Sequence, residues 1–259
     1  MIEAGVFNAT SREHFEKYGY ARLGCMLKRT ELEALKQRIN EIMQGEVVYK
    51  NMLFQLDSED GEYSNAPAAS LGHKGATLAY RKIMGLELDP VFLRYMQHPL
   101  FREITEYYIG NEVSIYRAMF MNKPADKGTE LPWHQDVGWG WGVDTDPIIT
   151  IWTALDPATV SNGCMQIVPG SHKYGTINKQ HWLPEEKIAD YVKPDEVKYL
   201  EAEAGEVILL HNLLLHRSGI NRSNTPRRAF AIAYMEGATR MRDTGELFPM
   251  IFGESALKA

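Results

Sequence analysis

The stretch LPWHQDVGWGWG at residues 131–142 sets an imidazole and a carboxylate, His134 and Asp136, two positions apart. Side chains alternate across a β-strand with period two, so on a strand this pair shares a face and could grip one metal ion. By itself a His-x-Asp pair is common among ordinary surface and core residues. A third ligand is required, and His216 in LLLHRSG, 82 residues downstream of His134, is the candidate. Two histidines and one carboxylate on one side of an octahedron leave three positions open, which suits iron(II) and oxygen chemistry. Arg227, eleven residues after His216, strengthens that reading. A dicarboxylate cosubstrate needs its far end held, and a guanidinium does this through two parallel bonds. Arg227 opens a run of β-formers expected to lie beside the His216 strand.

The neighbouring residues divide between site and scaffold. Arg117 and Met119 sit at period two on one strand, so both can face the cavity, where Arg117 could meet an anionic group of the substrate; an exposed strand position is the competing role for Arg117. Gln135, between the two ligands, points to the other face. Trp139 and Trp141 lie in a Gly-rich run just past the ligands, where they could wall the substrate. Arg117, Gln135, Trp139 and Trp141 are the candidate substrate contacts; for the tryptophans, core packing is the competing role. His211 is five residues before His216 and reads as structural, either on the opposite strand face or before a turn at Asn212. His172 in PGSHK reads as a turn builder. Cys164 follows Asn162-Gly163 and reads as packing, since no activating base accompanies it.

At this point the chain resembles a known family. The run from Lys82 to Ala229 is similar to the phytanoyl-CoA dioxygenase family of iron(II)/2-oxoglutarate oxygenases. The motifs that carry the likeness are MFMNKP (119–124), WHQD (133–136), IWTALD (151–156), NGCMQIVPGSHK (162–173) and HRSGINRSNTPRRA (216–229), in the family's order. The resemblance implies that His134, Asp136 and His216 bind iron(II). It implies that Arg227 meets the distal carboxylate of 2-oxoglutarate with Ser218 beside it, and that Lys82, Met119 and Trp152 also contact this cosubstrate. It implies consumption of O2 and 2-oxoglutarate, release of succinate and CO2, and hydroxylation of a small organic substrate. Desaturation, ring closure or epoxidation would use the same groups. Asp136 disfavours halogenation, because related halogenases carry a small residue there. A jelly-roll protein that only binds metal, or a cupin-like isomerase, is the remaining alternative, and it would not need the grip offered by Arg227 and Trp152.

The elements that must position these groups can be read from periodicity. Residues 10–44 read as helical, with Thr10 and Ser11 capping a first short helix and a capping box at Thr30 and Glu33 opening a second. The apolar set Leu32, Leu35, Ile39, Ile42 and Met43 gives this second helix one apolar face, and Gly45 ends it. Residues 46–80 read as irregular, and 90–109 as helical again with Pro99 opening its second part. Both 46–80 and 137–147 are expected to border the substrate. From about 112 onward, short runs rich in β-formers follow one another at 113–121, 148–156, 165–169, 205–211, 213–219 and 227–235. Repeated short strands point to a sandwich or barrel. The expected fold is mainly β with flanking helices, a double-stranded β-helix or jelly roll. One oxygenase domain over residues 1–259 is expected, helical to about 110 and jelly roll from about 111 to 240.

The net charge of −6 argues against nucleic acid, whose binders carry a basic excess, and lends no support to a basic patch for a CoA thioester. The N-terminal residues lack the basic-then-apolar order of a secretory signal, and no run approaches the ~20 apolar residues that span a bilayer. With two cysteines, too few for a disulfide framework, a cytoplasmic protein acting on a small molecule is expected. The oligomeric state is not encoded in any pattern we can read.

Overall fold

A computed structural model describes residues 7–136, 141–177 and 182–259. In chain order the elements begin with α1 (Ala9–Tyr18), β1 (Tyr20–Cys25), α2 (Arg29–Gln44), β2 (Leu53–Leu56), β3 (Ser70–Leu71) and β4 (Tyr80–Met84). Then come α3 (Pro90–Met96), α4 (Pro99–Tyr108), β5 (Val113–Lys123), β6 (Leu131–His134), β7 (Ile149–Ala154) and β8 (Met165–Ile167). The chain closes with α5 (Glu185–Tyr191), β9 (Lys198–Leu200), β10 (Glu206–His211), β11 (His216–Ser218), β12 (Arg227–Glu236) and β13 (Met250–Phe252).

Two antiparallel sheets form the jelly roll. The larger runs β1-β10-β7-β12-β5-β4-β2-β3, with β13 also against β5, and the smaller runs β6-β11-β8-β9. Alternation along the strands sorts the residues into layers. Phe230, Ile232 and Tyr234 of β12 turn to the helices, where Phe230 packs edge-on to Phe92 at 5.0 Å and the Tyr234 hydroxyl donates to the Met96 carbonyl. Ile39 and Ile42 of α2, fully buried, join that layer. Each such side chain contributes about 1.5–3 kcal/mol on burial. Ala229 and Ala231 face the other way, with Trp152, Met165 and Leu210, between the sheets. Small residues on this inner face leave the space that becomes the cavity. The outer face of the small sheet is closed by Trp133, Val168, Leu183 and Leu215, packed against α5.

The six runs expected as strands are strands. The N-terminal third is less purely helical than expected. Residues 20–25 interrupt the 10–44 helical reading as β1, which pairs with β10 at the sheet edge. Likewise β2 and β3 fall inside the supposedly irregular 46–80. These short strands depend on docking to a sheet rather than on their own periodicity. The caps also differ: Asn8 and Ser11 form the box that opens α1, and Glu31 bonds back to the Lys28 amide to open α2. Gly45 does end α2, in the left-handed conformation. Among the described residues no helix is long and apolar enough to cross a membrane.

Candidate active site

His134 ends β6 and His216 begins β11, and the two are directly opposed across that pairing, with ring centroids 4.1 Å apart. Each Nδ1 lies against the backbone carbonyl two residues earlier, Pro132 at 2.8 Å and Leu214 at 2.9 Å. A carbonyl only accepts, so each Nδ1 carries the proton and each Nε2 offers a lone pair, the tautomer a metal needs. The His134 Nε2 is 3.8 Å from Asp136 Oδ1, and the His216 Nε2 is 3.7 Å from Asp136 Oδ2. The three donor atoms lie within 4.8 Å of one another, so these side chains could hold one ion.

Asp136 lies just beyond β6 rather than on it. Its amide donates to the Asn212 carbonyl at 2.8 Å, while the Asn212 side chain is itself tied to Thr150 and Pro147. Gln135 is not a cavity residue. Its amide nitrogen donates to the carbonyls of Gly175 and Leu213, and its oxygen accepts from the Ile177 amide. The amide is therefore spent fastening the loops behind the metal ligands, which corrects the expected substrate contact. Trp139 lies outside the described residues. Trp141 is not among the residues lining the cavity; it stacks on Tyr116 at 4.4 Å, and the guanidinium of Arg117, which does line it, caps the ring at 4.2 Å.

The cavity measures about 820 Å³ including its open mouth, and Lys82, Arg117, Met119, Trp152, Ser218 and Arg227 all line it with the three ligand residues. Arg227 is not beside the His216 strand as expected. It sits in the large sheet, its Cα paired with Lys123 of β5, and faces β11 across the sandwich. Its Nε is buried with no protein partner, and so is the Trp152 Nε1. Two orphaned donors in one cavity are unusual, because buried polar groups are nearly always satisfied. They fit a ligand with carboxylate oxygens. Burial holds the Arg227 guanidinium down to about 10, where it is still charged at neutral pH. Burial, with Arg81 and Arg117 nearby, pushes the Lys82 ammonium down to about 7, against the pull of Asp136. Lys123 is held well below its ordinary range by burial and by Arg227 and Arg81, and it donates to the Thr129 carbonyl at 2.5 Å.

Several wall residues carry no role in the sequence reading, Lys123 and Arg81 among them. Lys123 continues the period-two face of Arg117 and Met119, a signal that was present in the sequence. Arg81 should face away from Lys82, but a β-bulge at Arg81 in the β2–β4 pairing brings both to the cavity. The scaffold histidines behave as expected. A turn at Asn212 follows β10, and His211 packs against Phe15 and His172 outside the site. The Cys164 thiol is buried and pushed up to about 11, so it is no nucleophile.

The chain is similar to several known proteins. The family model described as Phytanoyl-CoA dioxygenase (PhyH) matches residues 15–229. A probable phytanoyl-CoA dioxygenase of Caenorhabditis elegans is 30% identical over 250 residues, covering 90% of this chain and 76% of that protein. A probable alpha-ketoglutarate-dependent hypophosphite dioxygenase of Stutzerimonas stutzeri is 25% identical, covering 88% of this chain and 78% of that one. Among solved structures, EctD from S. alaskensis with 2-oxoglutarate and 5-hydroxyectoine shares the fold at a TM-score of 0.70 and 20% identity, covering 100% of this chain and 88% of that one.

Proposed function

The chain belongs to the phytanoyl-CoA dioxygenase family, and from that premise we propose that it is an iron(II)- and 2-oxoglutarate-dependent dioxygenase hydroxylating an unactivated C–H bond of a small organic substrate. One observation carries the reading: three convergent ligand atoms share a cavity with the buried, unpartnered Arg227. His134, Asp136 and His216 hold the iron. Arg227 takes the distal carboxylate of 2-oxoglutarate, with Ser218 supplying a hydroxyl, and Lys82, Met119 and the Trp152 Nε1 complete the cosubstrate pocket. When bound, iron and 2-oxoglutarate supply the oxidising power: O2 is reduced, 2-oxoglutarate becomes succinate and CO2, and the substrate gains a hydroxyl oxygen.

The chain's own contributions are positioning and exclusion. Carbonyl-anchored histidines keep their Nε2 lone pairs aimed inward, so little rearrangement accompanies metal loading. Ala231, Met119, Met121 and Trp152 make a wall that keeps bulk water from the reacting centre. Desaturation, ring closure or epoxidation would need the same groups and differ in which substrate bond faces the metal. A pure metal binder or an isomerase leaves the Arg227 and Trp152 donors unexplained. The reading takes residues 1–259 as one oxygenase domain, cytoplasmic, with a small molecule rather than nucleic acid or membrane as partner.

The test is 2-oxoglutarate turnover without added substrate. Wild-type protein with iron(II), ascorbate and air should form succinate above the rate of free iron. His134→Ala and Asp136→Ala should reduce this to background while keeping far-UV circular dichroism. Full turnover in both variants would contradict the assignment.

A further inference from the structure

We infer, on the footing of the oxygenase reading above, that the substrate carries its own oxyanion, held by Arg117 beside the metal ligands, so that the bond oxidised lies within a few bonds of that acid group. The oxyanion is a carboxylate or a phosphorus oxyacid, whose recognition chemistry is shared.

Arg117 is fixed where such a group would dock. Its Nη2 is 3.3 Å from Asp136 Oδ1. Its guanidinium lies 4.2 Å from the Trp141 ring and 5.3 Å from that of Tyr116, an aromatic seat that fixes the plane of the fork. A bulge makes the seat possible: the β5–β12 register skips Tyr116, pairing Arg117 with Ala233 and Ile115 with Tyr234. Among the described residues, the contact with Asp136 is the sole hydrogen bond of a group with five N–H donors. The side chain lines the cavity and keeps 22% of its surface open, so the remaining donors can be reached from the cavity.

Arg117 is also distinct from the grip assigned to the cosubstrate. Arg227 pairs with Lys123, six residues further along β5, which puts the two arginine backbones about 20 Å apart along the strands. A cosubstrate anchored on Arg227 therefore leaves Arg117 to another ligand. Charge points the same way. Arg81, Arg117, Arg217 and Arg227 line the cavity, together with Lys82 and Lys123, whose ammonium charges burial disfavours, against one carboxylate, Asp136. A divalent cation and a dianionic cosubstrate cancel each other, leaving that cationic excess unanswered. Buried cations without counter-charges are costly, so a neutral substrate is a poor match. A thioester carbonyl next to the reacting carbon is neutral too, and would leave Arg117 to Asp136 alone.

Binding to the anaerobic iron(II) protein at saturating 2-oxoglutarate tests this directly. The probes are linear monocarboxylates and alkylphosphonates of increasing chain length, their primary amides, and the matching acyl-CoA thioesters, followed by calorimetry and tryptophan emission. Acids of at least one class should bind about tenfold or more tightly than amides of equal length, and whichever of carboxylate and phosphonate leads identifies the oxyanion. Arg117→Gln should erase the acid preference without changing 2-oxoglutarate affinity, and Arg117→Lys should keep part of it. Acids no tighter than amides or thioesters, binding by no probe, or an acid preference surviving in Arg117→Gln would overturn the inference. The last result would leave Arg117 as a steadying partner of Asp136. The visible charge-transfer band of the iron–keto-acid chelate, recorded in the same samples, separates the two levels. Its presence with no acid preference overturns this inference alone, whereas its absence from wild-type protein overturns the oxygenase reading on which the inference rests.

Discussion

Arg227 and Arg228 are chain neighbours on one strand, and the alternation of β12 gives them opposite surroundings. Arg228 makes a two-pronged pair with Asp156, Nε to Oδ2 at 2.6 Å and Nη2 to Oδ1 at 2.8 Å, and adds a bond to Asn40. Arg227 faces the cavity with its Nε orphaned. Removing a buried, uncompensated cation relieves desolvation, so Arg227→Met should stabilise the ligand-free protein by about 1–2 kcal/mol. It should also reduce the rise in melting temperature that a given 2-oxoglutarate concentration gives wild-type protein. Arg228→Met should cost about 1–2 kcal/mol, since it removes the two-pronged partner of Asp156 and leaves it Lys36 at 3.4 Å, and should leave that 2-oxoglutarate response intact. Thermal melts with and without 2-oxoglutarate check both; destabilisation by the two substitutions alike would refute the contrast. At this scale the sequence is most legible where strand periodicity is undisturbed. The face shared by Arg117 and Met119 could be read off directly, whereas Arg81 could not, because a bulge reverses its expected side. Gln135 shows a different limit. Its direction away from the ligands was readable, but the loops it fastens come from residues 175–177 and 213, and no local pattern announces such contacts.

The strand that leads into the turn before His216 ends in a small aromatic cluster. His211, at the end of β10, stacks on Phe15 of α1 and lies 4.9 Å from the His172 ring. The His172 ring in turn reaches the Glu16 carbonyl. Burial, then His172, lowers the His211 imidazole to about 4. The unfolded chain therefore takes up a proton near the ordinary value of about 6.5 while the folded chain stays neutral at this residue. The stability this neutral ring contributes is complete above about pH 6.5 and is lost as pH falls toward 4. Allowing for partial exposure, the loss is on the order of 2 kcal/mol. His211→Phe should flatten that part of the profile in urea melts between these pH values, and an unchanged slope would count against the cluster. Strand existence was legible wherever β-formers run together between turn residues, as in β5, β7, β10 and β12. β1, β2 and β3 were not, because short edge strands with few buried residues take their conformation from the sheet they join.

For the whole molecule, the fold sorts charge as well as hydrophobicity. The chain is acidic overall, with a formal charge of −6, yet its cavity wall is cationic. Low-dielectric walls focus that local field, so the cavity attracts small anions despite the sign of the net charge. Net charge was a sound guide to the exclusion of nucleic acid and no guide to the site, because composition averages over surfaces that the fold keeps apart. The central claim is that one ion on His134, Asp136 and His216 shares a cavity with a keto acid gripped by Arg227. Anaerobic titration of the iron(II)-loaded protein with 2-oxoglutarate, followed by visible absorption, tests it most directly. The account predicts a weak charge-transfer band that saturates with 2-oxoglutarate, is missing in Asp136→Ala, and needs at least about tenfold more 2-oxoglutarate in Arg227→Met. Iron shown to be bound to wild-type protein with no band at any 2-oxoglutarate concentration would contradict it.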